Sequence, residues 1–506
     1  MTENTKNKIA KPPVVVVMGH IDHGKTKILD WYRQTKVVES ESGGITQHVG
    51  AYELEYKGKQ ITFIDTPGHE SFSKMRARGA KVADVAVLVV AGDEGVKPQT
   101  QESIRIILEN ELPYVVALNK SDKPEFNVDK VKQELAKENV LAESYGGQVP
   151  MIEISAKTGQ NMDALLEMIL LVAEVGELHA DPAKPAEGVV VEAHLDAKRG
   201  ITATLLVLDG TIKKGDILAV GRSVENIKML ENFLGKPIDQ AGPSSPVKIV
   251  GLIAVPTVGE KFQACQDKKS AADFIAKLPP PDLDKILPVP ADQAAGEKSI
   301  TLPAFNIILK ADVVGSQEVL EEALRKLAPG EIDINIIHSG VGNINETDVK
   351  FALDTRLVTI LGFKVKIDPS VKELAEKANI RILTGDVIYK LLDETKEHLA
   401  DLLPPIVTRV DTGRAKILKV FKQDGRKQIV GGKVEDGRLE KGALIEVKRG
   451  VNAVGRGKIN QLQQNKIDTN EVAKGYEFGT MIESEAVIKE GDFLEVFHED
   501  VTKRKL

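Results

Sequence analysis

Four short stretches between residues 14 and 161 carry side chains whose types and spacing could do chemistry on a nucleotide. The first, Gly19-His20-Ile21-Asp22-His23-Gly24-Lys25-Thr26, has the form GxxxxGK[ST] and follows the apolar run 14–18. Its glycines let successive backbone N–H groups face one anion, and a helix N-terminus after it adds its dipole. Lys25 would then meet the β/γ-phosphates, and the Thr26 hydroxyl would ligate Mg²⁺. In the second, Asp65-Thr66-Pro67-Gly68-His69, Asp65 is placed to hold Mg²⁺ through water. The bare Gly68 can approach the γ-phosphate, and His69 is the candidate for orienting an attacking water.

The third stretch, Asn119-Lys120-Ser121-Asp122, selects the base. A carboxylate such as Asp122 accepts two hydrogen bonds from the N1–H and N2–H₂ edge of guanine, whereas adenine presents an acceptor there. Lys120 could lay its stem over the base plane, and Asn119 could tie this loop to the phosphate loop. The fourth, Ser155-Ala156-Lys157, can offer backbone N–H to the guanine carbonyl. Between the first two lies a glycine-containing loop with Gly44, Ile45 and Thr46, in which Thr46 would supply a second protein oxygen to Mg²⁺ once the γ-phosphate is present. Singly, each match could be an ordinary turn with an exposed polar residue. Jointly and in this order they point to GTP and GDP, with Mg²⁺.

The elements that must position these groups are legible in the periodicity. Residues 14 to about 175 alternate apolar strand-like runs with helical patterns, the signature of a doubly wound sheet whose strand ends carry the loops. The whole reads as a multidomain chain of α/β plus β-barrels. A disordered tail is expected over 1–13, a P-loop GTPase domain over 14–180, and a β-barrel over 186–276. A Pro-rich linker follows over 277–299, then a small α/β/α domain over 300–385, a connecting helix over 386–404 and a C-terminal β-barrel over 406–506. The α/β/α region lacks any GK[ST], so it is read as carrying no nucleotide. Asp209-Gly210 with Lys214-Gly215 is echoed by Asp436-Gly437 with Lys441-Gly442, which suggests two copies of one barrel type.

Composition narrows the class. Among 506 residues there is one cysteine, Cys265, so no disulfide framework or Cys-based zinc site forms within the chain and a reducing cytoplasm is expected. No apolar run reaches the length of a membrane span, and residues 1–13 lack a signal core, so no membrane partner is expected. The net charge of −7 argues against a protein that coats nucleic acid indiscriminately.

The wording GHIDHGKT, GGITQHVGAY, DTPGHE, NKSD and SAKTGQN resembles the translational GTPases, and specifically the bacterial translation initiation factor 2 family. That resemblance implies recruitment of initiator formyl-methionyl-tRNA to the small ribosomal subunit, promotion of subunit joining, and ribosome-stimulated GTP hydrolysis by a monomer. It also implies that Ile21 and Ile45 form an apolar gate beside His69, although plain core packing explains them equally well. Asp22 would match a ligand of a monovalent cation, K⁺ or Na⁺. Many bacterial members carry a long N-terminal extension; here the first motif begins almost at once, so whatever that extension contributes to small-subunit binding is expected to be absent or supplied elsewhere. Two other functions share the motifs: a tRNA-delivering elongation-type GTPase, and a GTP-latched RNA-binding protein with little hydrolysis.

By the same resemblance the last barrel binds the formyl-methionine and acceptor end of the tRNA. Between 405 and 506 there are 20 Lys and Arg against 16 Asp and Glu. A basic patch with Arg438, Lys441, Lys448, Arg449, Arg456 and Lys458 could follow an RNA backbone, with a solvated charged surface as the competing reading. Two family positions that often carry cysteine, in a GC pair and a GYEC motif, are here Gly431-Gly432 and Gly475-Tyr476-Glu477-Phe478. Tyr476 and Phe478 are therefore candidates for an apolar methionyl pocket beside Gly432.

Overall fold

The computed structural model describes residues 8–34, 46–278, 304–327, 332–355, 357–403 and 405–502. By internal contacts the chain forms two compact units, Met1–Thr395 and Lys396–Leu506.

The first unit opens with a short strand β1 (Ile9–Ala10) and then β2 (Val14–Gly19), α1 (Lys25–Arg33), β3 (Gly50–Tyr56), β4 (Lys59–Asp65), α2 (Ser73–Val82), β5 (Val85–Ala91), α3 (Pro98–Glu109), β6 (Tyr114–Asn119), α4 (Val128–Lys137), β7 (Met151–Glu153), α5 (Met162–Val175) and β8 (His179–Ala180). The sheet order is β3-β4-β2-β5-β6-β7, parallel except for the β3–β4 hairpin. A parallel strand covered on both faces must be apolar at every position. In β2, Val14, Val16 and Met18 pack into one core and Val15 and Val17 into the core on the opposite face. The chain order reverses at β2, which lies between β4 and β5, so the loop leaving it opens into the crevice where such sheets bind ligands.

One expectation changes at the start of the chain. Ile9 and Ala10 pair with Ala180 and His179, and the Lys11 ammonium meets Asp84 at 2.9 Å. Asp84 also accepts the Val14 N–H at 2.8 Å. Residues 8–13 are thus a docked strap rather than a tail, because a buried-edge carboxylate supplies partners that no periodicity could reveal; residues 1–7 lie outside the described residues.

Residues 187–265 form a seven-stranded antiparallel sheet around a single apolar core. It is followed by the helix Lys268–Lys277, which packs Ala271 onto Ala219 and Cys265. The barrel reading thus ends in a helix, and residues 279–299 of the Pro-rich linker lie outside the described residues. Next comes a four-stranded parallel sheet in the order Asp333–Val341, Ala304–Ala311, Val358–Phe363, Arg381–Gly385. Its first helix is Val314–Arg325, and the Glu192 carboxylate, from the preceding sheet, accepts the Gly315 N–H in the helix's first turn at 3.3 Å.

The helix Ile388–Leu402 leads into the second unit, a closed barrel. Its strands run Ile406–Asp424, Phe493–Thr502, Leu444–Arg449, Asn452–Gln464, Glu477–Ser484 and Lys427–Glu440, and the last pairs again with the first. Closure removes the exposed edges an open sheet would leave. Among the described residues no helix is long and apolar enough to cross a membrane.

Candidate functional site

A cavity of about 510 Å³ lies at the C-terminal ends of the sheet, lined by Ile21, Asp22, Gly24, Lys25, Thr26, Thr46, Gly68, His69, Asn119, Lys120, Asp122, Ala156 and Lys157, and also by Lys27 and Lys123. Residues from all four motifs therefore face one space. Gly24 has φ +94°, and a Cβ there would come within 2.3 Å of the Asn119 amide nitrogen. A Cβ on Gly68 would fall 2.3 Å from Lys25 Nζ, so only glycine keeps the approach to the lysine open.

Lys25 is buried, and burial lowers its pKa to about 8. Its ammonium donates to the backbone carbonyls of Gly19 (2.9 Å) and His20 (2.6 Å). A buried cation held by neutral carbonyls is suited to an anion, since desolvation strengthens the attraction it can offer. The Thr26 and Thr46 hydroxyls are 2.6 Å apart, and Asp65 is buried at the end of β4. Two hydroxyls and one carboxylate are hard oxygen donors, which fits Mg²⁺ completed by phosphate oxygens and water. Gly44 and Ile45 lie outside the described residues.

The base end is equally organised. Asn119 donates from Nδ2 to the His23 carbonyl at 2.8 Å and accepts the Ala156 N–H at 3.1 Å, tying three motifs together. That commits the Ala156 amide, which the sequence offered to the base, to Asn119. The Ser155 hydroxyl donates to Asp122 at 2.6 Å, and this hydrogen bond holds the Asp122 carboxyl below the usual range. Lys120 meets Glu94 at 2.8 Å, which leaves its methylene stem as the part available to a base.

His69 caps the short helical turn Glu70–Phe72, and its ring lies 3.7 Å from that of Tyr389. Burial first, then the charge of Arg76, lowers its pKa to about 4, so the ring is neutral at pH 7. Arg76, fully buried, donates to the carbonyls of Pro67 (3.0 Å) and His69 (2.5 Å) and pairs with Glu102. Phe72 and Met75, just after the loop, share a core with Ile307, Leu320 and Phe363 of the α/β/α region. The position of His69 is therefore set partly from more than 200 residues away. Tyr389→Ala is expected to expose the ring and raise the His69 pKa from about 4 toward the ordinary value of 6.5. An NMR titration of the imidazole reads this directly, and an unmoved pKa would remove Tyr389 as a cause of the burial. The sign is that of a depressed base: the stacked ring is favoured neutral, so acidification from pH 6.5 toward 4 works against this arrangement.

The remaining motif residues stand behind the cavity wall. Thr66 donates to the Val17 carbonyl at 2.9 Å, the Ser121 N–H to Ile154 at 3.1 Å, and His20 and His23 pack edge to face at 5.0 Å. His23 is fully buried with its pKa lowered to about 3 by desolvation, a structural ring rather than a ligand. Arg76 and Tyr389 escaped the sequence reading: nothing in Arg76-Ala77-Arg78 tells which arginine turns inward, and Tyr389 sits in an unremarkable amphipathic helix.

Comparison with known proteins adds ancestry to this geometry. Residues 11–174 match the Elongation factor Tu GTP binding domain, 185–265 Elongation factor G domain 2, and 291–396 Translation-initiation factor 2. "Translation initiation factor IF-2" of Halothermothrix orenii is 43% identical over 501 residues, covering 98% of this chain and 73% of the relative. The chain belongs to the translation initiation factor 2 family. A relative of the same name from Pelotomaculum thermopropionicum is also 43% identical over 501 residues, with 98% of this chain and 51% of that protein aligned; the chain spans about half the length of several curated relatives it matches. A solved structure, GDP-bound aIF5B from Aeropyrum pernix, aligns with TM-score 0.46 and 26% identity over 96% of this chain and 92% of that one.

Against the family's tRNA expectation, the terminal barrel gives a mixed result. Gly432 and Phe478 line a second cavity, of about 640 Å³. Tyr476 does not line it and is exposed. The expected basic patch is laced with carboxylates: Arg438 pairs with Glu440 and Glu471, Lys448 with Glu495 at 2.8 Å, Arg449 with Asp492 at 2.8 Å, and Arg456 lies 3.8 Å from Glu446. Cations neutralised by neighbours across the strands offer little to phosphates.

Proposed function

We propose that this family member is an initiation factor that binds GTP in the first cavity and hydrolyses it under ribosomal stimulation. In this reading Lys25 and the loop amides of residues 19–26 hold the phosphates. Thr26 and Thr46 would hold Mg²⁺ directly and Asp65 through water, while Asp122 reads the guanine edge with Asn119 and Lys120 shaping the wall. Bound there, Mg²⁺ would supply neutralisation of phosphate charge. Asp22, at φ +59° in the cavity lining, is the candidate for a K⁺ or Na⁺ ligand, and Ile21 for one side of the gate. His69 orients the attacking water through Nε2 of its neutral ring, since Nδ1 accepts the Ser71 N–H at 3.4 Å. In the cytoplasm, as a monomer, the factor delivers formyl-methionyl initiator tRNA through the terminal barrel and promotes joining of the subunits.

The observation that carries this reading is the convergence of Lys25, Thr26, Thr46, His69 and Asp122 on one cavity. Phosphate release measured with and without ribosomes tests it. Release that ribosomes do not accelerate would favour the latch reading, in which GTP binding is retained and turnover is not.

A further inference from the structure

Gln47 is fully buried, although its neighbour Thr46 lines the nucleotide cavity. An amide withdrawn from water costs free energy unless both its ends find partners. Here Nε2 donates to the Asp386 carbonyl at 3.0 Å, and Oε1 accepts the Ile388 N–H at 3.3 Å. Ile388 opens the helix Ile388–Leu402, and the first N–H groups of a helix have no carbonyl within it to bond. The side chain therefore caps that helix from 341 residues away. An amide of this length meets both groups, whereas a carboxylate would lack the donor and an apolar chain would lack donor and acceptor alike.

The same turn of chain carries Tyr389, whose ring lies 3.7 Å from that of His69. Residues 386–389 thus hold the backbone beside Thr46 through Gln47 and the His69 ring through Tyr389. The two residues after Gln47 dock on the same α/β/α region: His48 pairs with Asp312 at 2.9 Å, and Val49 packs on the core of Phe72, Ile307 and Leu361. The Thr46 hydroxyl lies 2.6 Å from that of Thr26. Mg²⁺ tolerates little departure from octahedral geometry, with ligands at about 2.0–2.1 Å, so the placement of Thr46 has to be fixed by its surroundings.

We propose that Gln47 is a positioning residue for GTP hydrolysis: by tying the chain beside Thr46 to the turn 386–389, it sets the Thr46 hydroxyl and the His69 ring at a fixed separation. The proposal rests on the reading of Thr46 and His69 given above. Groups one step behind a metal ligand tune metal affinity by about 10- to 100-fold. Gln47 should do so only with the γ-phosphate present, since GDP gives Thr46 nothing to complete.

Mg²⁺ titrations of the full chain with GDP and with a non-hydrolysable GTP analogue test it, followed by single-turnover hydrolysis on ribosomes. Gln47→Met nearly keeps the volume and loses both hydrogen bonds. Gln47→Asn keeps the amide and shortens its reach by one methylene, and it carries the test should the methionine variant fail to fold. Each is expected to raise the half-saturating Mg²⁺ for the analogue about tenfold and to leave that for GDP unchanged. Hydrolysis at saturating GTP and Mg²⁺ should slow about tenfold, with the half-saturating GTP concentration unmoved. A wild-type Mg²⁺ requirement and rate in a folded variant would overturn the proposal. So would an equal rise for GDP and the analogue, the mark of a loosened domain. A wild-type chain that binds the analogue equally well without Mg²⁺ would instead overturn the metal reading, and the proposal with it.

Discussion

His69→Ala is expected to bind GTP as tightly as the wild type and to lose about 10²- to 10⁴-fold of ribosome-stimulated turnover, the range for a positioned proton-transfer group. In the proposed reading affinity should survive because the phosphate end is built from Lys25 and the loop amides, and the base end from Asp122. Turnover should not, because His69 is the one imidazole in the described lining of the cavity. Arg76, the nearest arginine, is buried in hydrogen bonds to Pro67 and His69 and in its pair with Glu102, so it holds the loop and cannot reach out to a developing charge. In the proposed reading the ring acts in its neutral form. With a pKa of about 4, the neutral fraction falls only as pH drops through that value, so wild-type turnover should be flat from pH 8 to about 5 as far as His69 is concerned. Single-turnover phosphate release on ribosomes measures both effects. Undiminished release by the alanine variant would take His69 out of the reaction, and a rate that halves near pH 6.5 would mean the ring is not buried in the acting state.

What was legible in the chain, and what was not, divides along physical lines. Strands covered on both faces leave unbroken apolar runs, and residues 14–18, 61–64 and 114–118 sit where such runs imply. The motifs that follow them meet because strand ends in one parallel sheet share a crevice. Contacts that close over long separations left no trace: Tyr389 on His69, and Gln47 donating to the Asp386 carbonyl at 3.0 Å, are set by docking of whole elements. The ion pairing of the basic patch was hidden for a different reason. Arg456 stands opposite Glu446 in the strand pairing, and a register cannot be read from charge counts.

Asp122→Asn should convert the base preference from guanine to xanthine. The carboxylate is ionised, held below the usual range by the Ser155 hydroxyl at 2.6 Å, and faces the cavity as a pure acceptor. Guanine offers two donors to it. An asparagine presents one acceptor and one donor, so one guanine donor then meets an amide N–H; the loss expected for breaking a hydrogen-bonded charge contact is about 2–5 kcal/mol, or roughly 30- to 4,000-fold in affinity. Xanthine carries a carbonyl in place of the guanine amine and restores the match. Ser155 also accommodates the change, because its hydroxyl can donate to the new amide oxygen as it did to the carboxylate. Competition between GTP and xanthosine triphosphate for the variant reads out the switch. Should the variant keep wild-type GTP affinity, the base is not read by this side chain, and the arrangement of Asn119, Ser155 and Lys157 around it is structural only.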